Sequence, residues 1–290
     1  MNTTPRLALA AALLAAHLVG GCAHTPHTGA QVATATDLKA QLKACHALLD
    51  AKKLPEADRC LEPIERGSDD KSARIAAYDR ATVFLYQANF KGAIEVFERM
   101  LAREHAGGRF DNEAMGHNAI IWVRWAQHDL DGALAENERV RETIEAAKVS
   151  DEDRRGVLLH YWWDRAYLYL DDAERKSGDA RAASARAADE ARSTYEKMAR
   201  MPDEHDGVAV LAAFFGVRRH DAAAALAAAK QVDPDKDSDL QDLYVLWLAY
   251  DAAGDGAGAQ AIRKRIEAGY EYGMKVIMLR ELAATKSRAP

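Results

Sequence analysis

The chain has 290 residues, a formal net charge of −6, and 29% charged against 49% hydrophobic side chains, which excludes a disordered polymer. The balance is acidic and carries no basic block, which excludes a nucleic-acid partner that would need clustered Lys and Arg on its phosphates. Aromatic residues make up only 7% and alanine is abundant, a composition suited to close-packed helices rather than sheets.

Residues 1–6 are polar and carry Arg6, and Leu7–Val19 is a thirteen-residue apolar run broken only by His17. The run is too short to span a bilayer but suits the apolar region of a secretory signal. Val19-Gly20-Gly21-Cys22 follows it. This start resembles a bacterial lipoprotein signal. The resemblance implies cleavage after residue 21, lipidation of Cys22 and a mature net charge of −7 once Arg6 is lost from the −6 total. Ala23 follows the cysteine, and within this resemblance the lack of Asp there implies outer-membrane delivery, with the chain facing the periplasm. The family's three acyl chains exceed the two signals that stable anchoring needs. Residues 22–36 read as a polar tether with a reach of about 20 Å. His24 and His27 in it give no closed metal site.

From Asp37 onward the pattern is helical and recurs. In Ala77–Leu101, Ala77, Ala81, Phe84 and Ala88 share a face of one helix, Asn89–Gly92 turns, and Ala93, Phe97 and Met100 face back from a second. This unit resembles a tetratricopeptide repeat, a helix–turn–helix of about 34 residues. The small residue that opens the second helix recurs as Ala57, Ala93, Ala133, Ala183, Ala223 and Ala259. The residue nine places earlier reads Leu48, Phe84, Arg124, Glu174, Phe214 and Tyr250, so Arg124 and Glu174 depart from the family's apolar pattern. Pro63 is expected to shorten or kink its helix. The fourth unit departs most, with a long Ala-rich helix over Arg181–Arg200. The expected fold is therefore all-α: a right-handed superhelix, or α-solenoid, of about six TPR-like hairpins over residues 37–268. A helix in residues 269–290, read from Tyr272–Ala284, caps its last face.

Motifs of catalysis do not survive inspection. Gly254-Asp255-Gly256-Ala257-Gly258 lacks the preceding strand of a phosphate loop and reads as a turn. Asp233–Asp239 spaces carboxylates like a calcium loop, but Ser238 replaces the needed Gly and Tyr244 the twelfth-position acid. Ser238 or Asp239 is instead expected to cap a helix over Leu240–Ala252. The histidines form no H-E-x-x-H, and no G-x-S-x-G occurs. Lytic transglycosylases share the superhelical architecture, but their Glu-Ser motif is absent here. No catalytic residue, metal or cofactor is assigned.

The resemblance implies a membrane-anchored, non-enzymatic scaffold that binds envelope proteins, as pilotins and outer-membrane assembly components do. The competing class is an enzyme or small-ligand binder on the same superhelix, acting on the cell wall. Partner-binding candidates are Tyr78, Trp122, Trp125, Trp162, Arg165 and Tyr169, residue types that dominate hot spots and that would line a concave face. Core packing of the same residues is the other reading of their spacing. Cys45 and Cys60 are the two cysteines left after Cys22. A disulfide across the first hairpin and a pair of separate buried thiols both fit.

Overall fold

In the computed structural model, residues 35–67, 69–236, 239–269 and 272–288 are described, and Cys22 and most of the tether lie outside them. The described residues form helices without strands: α1 (Ala35–Asp50), α2 (Leu54–Gly67), α3 (Asp70–Tyr86), α4 (Phe90–Ala106), α5 (Phe110–Ala126), α6 (Leu130–Ala146) and α7 (Asp151–Arg175). There follow α8 (Gly178–Met198), α9 (Pro202–Arg218), α10 (Ala222–Ala229), α11 (Leu240–Ala252), α12 (Gly256–Ala268) and α13 (Gly273–Arg288). Each of α1 to α12 pairs with the next as a hairpin, and first helices of successive hairpins also touch, α5 with α7, α7 with α9 and α9 with α11. This is the arrangement of a helical-repeat solenoid. No helix among the described residues is long and apolar enough to cross a membrane.

One turn chemistry builds most of the hairpins. Lys52, Ala88, His128, His220 and Gly254 all adopt positive φ, between 58° and 73°. The residue after each donates its N–H five residues back: Lys53 to Leu48, Asn89 to Phe84, Asp129 to Arg124, Asp221 to Gly216 and Asp255 to Tyr250, at 2.9–3.0 Å. These are Schellman closures, which satisfy the orphan carbonyls of the first helix. In four of them the same residue then caps the second helix. Asn89, Asp129, Asp221 and Asp255 accept through a side-chain oxygen from Gly92, Gly132, Ala224 and Gly258 N–H at 2.9–3.0 Å.

This geometry sets the register of the small residue, four places after the cap. Ala57, Ala93, Ala133 and Ala259 are buried there. Two expected positions are corrected. Ala223 is exposed, and Ala225 fills the place in the fifth hairpin. Nine residues before Ala225 stands Gly216, where a Cβ would come within 2.6 Å of the Ala225 backbone nitrogen. The pair of helices closes by losing the large residue altogether. Ala183 is likewise exposed, because α7 and α8 are longer and the hairpin pivots on Ser184, whose hydroxyl donates to Asp172 at 2.6 Å. Arg124 is accommodated as a brace, its guanidinium donating to Asp129 of its own turn at 2.8 Å. Helix α2 runs through Pro63 to Gly67, so the proline does not shorten it. Asp239 caps α11, accepting from Asp242 N–H at 2.9 Å.

The terminal helix departs from its expected place. Helix α13 touches α12, but it also returns to α11, α5 and α3. It therefore lies across the inner side of the superhelix instead of merely covering the last hairpin. With α5, α7, α9 and α11 it completes a ring of helices around one interior. Val276, Ile277, Met278 and Leu282 of α13 are buried in the main core. The first hairpin keeps a small core of its own, built on Cys45, Leu49, Ala57, Leu61 and Ile64.

Candidate interaction surface

The ring interior is filled by the protein's own aromatic side chains. Tyr167 of α7 is its hub. Its ring stacks on Phe214 of α9 at 3.9 Å between centroids and meets Trp122 and Trp125 of α5 at 5.2 and 5.8 Å. Trp125 also meets Tyr244 of α11 edge-on at 6.2 Å. Some polar groups in this interior are tied across helices, while the buried Tyr167 hydroxyl has no hydrogen-bond partner among the described residues. The Trp125 Nε1–H donates to Asp171 at 3.1 Å, and Asp171 pairs with Arg218 at 2.6 Å. In the amide orientation that satisfies both of its ends, Gln241 accepts from the Trp122 Nε1–H at 2.6 Å.

The expected six-residue stripe therefore does not form one surface. Trp122 and Trp125 are 1% and 4% exposed and belong to the core, because α5 is covered on one side by its hairpin partner and on the other by α7 and α13. A partner cannot reach them without opening the ring. Tyr78 of α3 is held between α4 and α5. Its ring meets Phe97 at 5.4 Å and its hydroxyl faces the Met115 carbonyl at 3.5 Å. Burial pushes its phenol up to about 12.

Arg165 and Tyr169 of α7 do come together on the side facing α6, and Trp162, partly buried like them, stands about one turn before Arg165 on the same helix. The Arg165 guanidinium lies over the Tyr161 ring at 5.4 Å and the Tyr169 ring at 5.0 Å. It donates to the Tyr169 hydroxyl and to Glu138 of α6, both at 3.2 Å. Trp162 packs edge-on against Tyr161 at 4.7 Å. Burial alone would raise the Glu138 carboxyl, but bonds from Arg141 and Tyr161 outweigh it and hold it below the usual range. The cation–π sandwich thus stands on an ionised base, which fixes the guanidinium in place.

Cys45 and Cys60 are joined, with Cα atoms 5.5 Å apart, and tie α1 to α2. Cys22 and the tether histidines lie outside the described residues. No group of three or more His, Cys, Asp or Glu among the described residues is placed to hold a metal.

A second feature has no signature in the amino-acid sequence. Helices α2, α3 and α4 line a half-open cavity of about 200 Å³ between Glu65, Arg66, Arg74, Arg99 and Arg103, floored by Ala73, Ala77 and Met100. Arg99 and Arg103 are four apart on α4, which in sequence looks like any solvated helix face. Only the crossing of α3 brings Arg74 opposite them. Burial would raise the Glu65 carboxyl, but hydrogen bonds from Arg99 and Arg80 hold it low. No family model matches this chain, and no curated protein is significantly similar to it.

Proposed function

We propose that this protein is a lipid-anchored, TPR-like scaffold of the bacterial outer membrane that binds another envelope protein and performs no catalysis. The observation that carries the reading is the Trp162–Arg165–Tyr169 patch. It offers large aromatic area and a guanidinium already oriented, the residue types that concentrate binding energy. The signal-like run ending at Cys22 supports the anchor. The partner is expected to present a helix or extended segment to the α6–α7 side, because the inner side is occupied by α13.

The test is photo-crosslinking in intact cells from a probe at position 162, with exposed Asp189 of α8 as the comparison site. A discrete protein adduct from 162 and none from 189 is the expected result. Adducts of lipid or sugar alone at 162 would move the protein to the small-ligand class. Cys22→Ala is expected to leave an unprocessed, unlipidated precursor, and an unchanged mature mass would remove the anchor from the proposal.

A further inference from the structure

The cavity between α2, α3 and α4 has a charge pattern that its own residues do not neutralise. Four of its lining side chains are guanidiniums and one is a carboxylate. The carboxylates near it are shared. Glu65 serves Arg99 at 3.0 Å and Arg80 at 2.7 Å, although Arg80 has Asp58 besides. Glu104, fully buried, serves Arg74 at 3.1 Å and Arg109 at 2.6 Å. Asp70 serves Arg109 at 2.8 Å and Arg103 at 3.8 Å. Glu65, Glu104 and Asp70 therefore stand among Arg74, Arg99, Arg103 and Arg109, with Asp111 adding its charge beside Arg109, and Arg66 leans outward to Glu62.

Unspent N–H donors remain around the cavity. A guanidinium has five N–H groups. Among the described residues Arg74 makes a single hydrogen bond, to Glu104. Arg103 spends two on the Glu65 and Arg66 carbonyls, which clamp it to the end of α2 and fix its plane. Arg74 and Arg103 side chains are only 16% and 30% exposed, so their mutual repulsion is less screened than on an open surface.

We infer that this cavity is a binding site for a compact phosphate monoester, held by Arg74, Arg99 and Arg103 with a short apolar part against Ala73, Ala77 and Met100. Guanidinium forks match phosphate oxygens bidentately, and a monoester carries a charge near −2 with three acceptor oxygens. That meets converging guanidiniums better than a monocarboxylate. The site is separate from the α6–α7 patch and does not rest on the scaffold reading.

The test titrates the full chain with glycerol 3-phosphate by calorimetry, with succinate as the carboxylate control. Saturable one-to-one binding of the phosphate, weakened about tenfold or more by Arg103→Gln and by Arg74→Gln, is expected. Circular dichroism reports whether each variant still folds. Because loss of either arginine can disturb α2–α4, amide shifts of the unmodified protein supply an independent reading. They are expected to move at residues 65–77 and 99–103 and not at α7. No saturation up to about 10 mM, stronger binding of succinate, or shifts elsewhere would overturn the site. A second arm uses phosphatidylcholine vesicles with and without phosphatidic acid. Arg103-dependent sedimentation with the phosphatidic acid vesicles would give the phosphate a lipid source. Binding of free glycerol 3-phosphate without sedimentation would give it a soluble one.

Discussion

Tryptophans 122 and 162 look alike in the sequence, each lying on a helix beside a second aromatic three or one residue away, yet the first is fully buried and the second only partly. Trp122→Ala is expected to cost about 3–5 kcal/mol, the range for emptying a buried aromatic site. Trp162→Ala is expected to cost clearly less than Trp122→Ala by thermal or denaturant melting, since Trp162 is only partly buried at the edge of the core. Comparable losses in both variants would place Trp162 in the core. Asp164 gives a second test. It is 3% exposed, and burial, then the charge of Asp239, raise its carboxyl well above the ordinary range, with only an Asn118 bond opposing. A carboxyl whose folded pKa is raised favours folding only while protonated, so that contribution is present below about pH 3.9 and is lost as pH rises through the folded value. Asp164→Asn is expected to raise the melting temperature at pH 7, with the two proteins converging near pH 4. An unchanged or lower melting temperature at pH 7 would contradict it. None of this was legible beforehand. Helical spacing assigns faces to a helix, but only the neighbours decide whether one face or both are covered.

Helices and their turns were the more legible level, because local chemistry writes them. Asn89, Asp129 and Asp255 are turn-forming residue types whose capping role the structure adds, and the limits of α11 followed from the apolar run behind Ser238 and Asp239. The fifth hairpin misled because Ala222–Ala229 is a uniform run, in which Ala223 and Ala225 cannot be told apart without the turn geometry. Ala88 is exposed in the left-handed region at φ 58°, where a Cβ is unfavourable and Gly is not. Ala88→Gly is therefore expected to stabilise the protein by about 1 kcal/mol in denaturant melts, and destabilisation would refute the assigned turn. The first hairpin shows the other local device. Its small core is largely its own, and a bridge spanning 15 residues contributes about 3 kcal/mol on loop-closure grounds. Reduction, or Cys60→Ala, is expected to speed amide exchange in α1 and α2 while α5–α11 keep their protection. Uniform loss of protection would show that the hairpin is not a separate unit.

The whole-molecule plan was legible as a row of helical pairs and illegible as a ring. Repeat spacing concerns neighbours only, and nothing in Tyr272–Ala284 distinguishes a cap on the last hairpin from a helix that returns to α3 and α5. That return changes the expected energetics. An open solenoid gains stability unit by unit, and its ends unfold separately. Here Met278, fully buried, and its neighbours link the α11–α12 end to α5 through one interior. Removing residues 270–290 is expected to replace a single sharp melting transition of α5–α12 by broader, earlier ones, with dye binding to exposed aromatic surface. An equally sharp transition at the same temperature would mean that α13 is an accessory.

The closing helix is also the last of these elements to be synthesised. Until it arrives, the Trp122, Trp125 and Tyr244 side of the interior has no lid, whatever the state of the hairpins already made. Each earlier hairpin can form from contacts a few tens of residues apart, but the final enclosure joins segments nearly two hundred residues apart. Maturation of this chain is thus a race between α13 and whatever else binds exposed tryptophan. Chaperone occupancy is the quantity that should end abruptly when α13 docks.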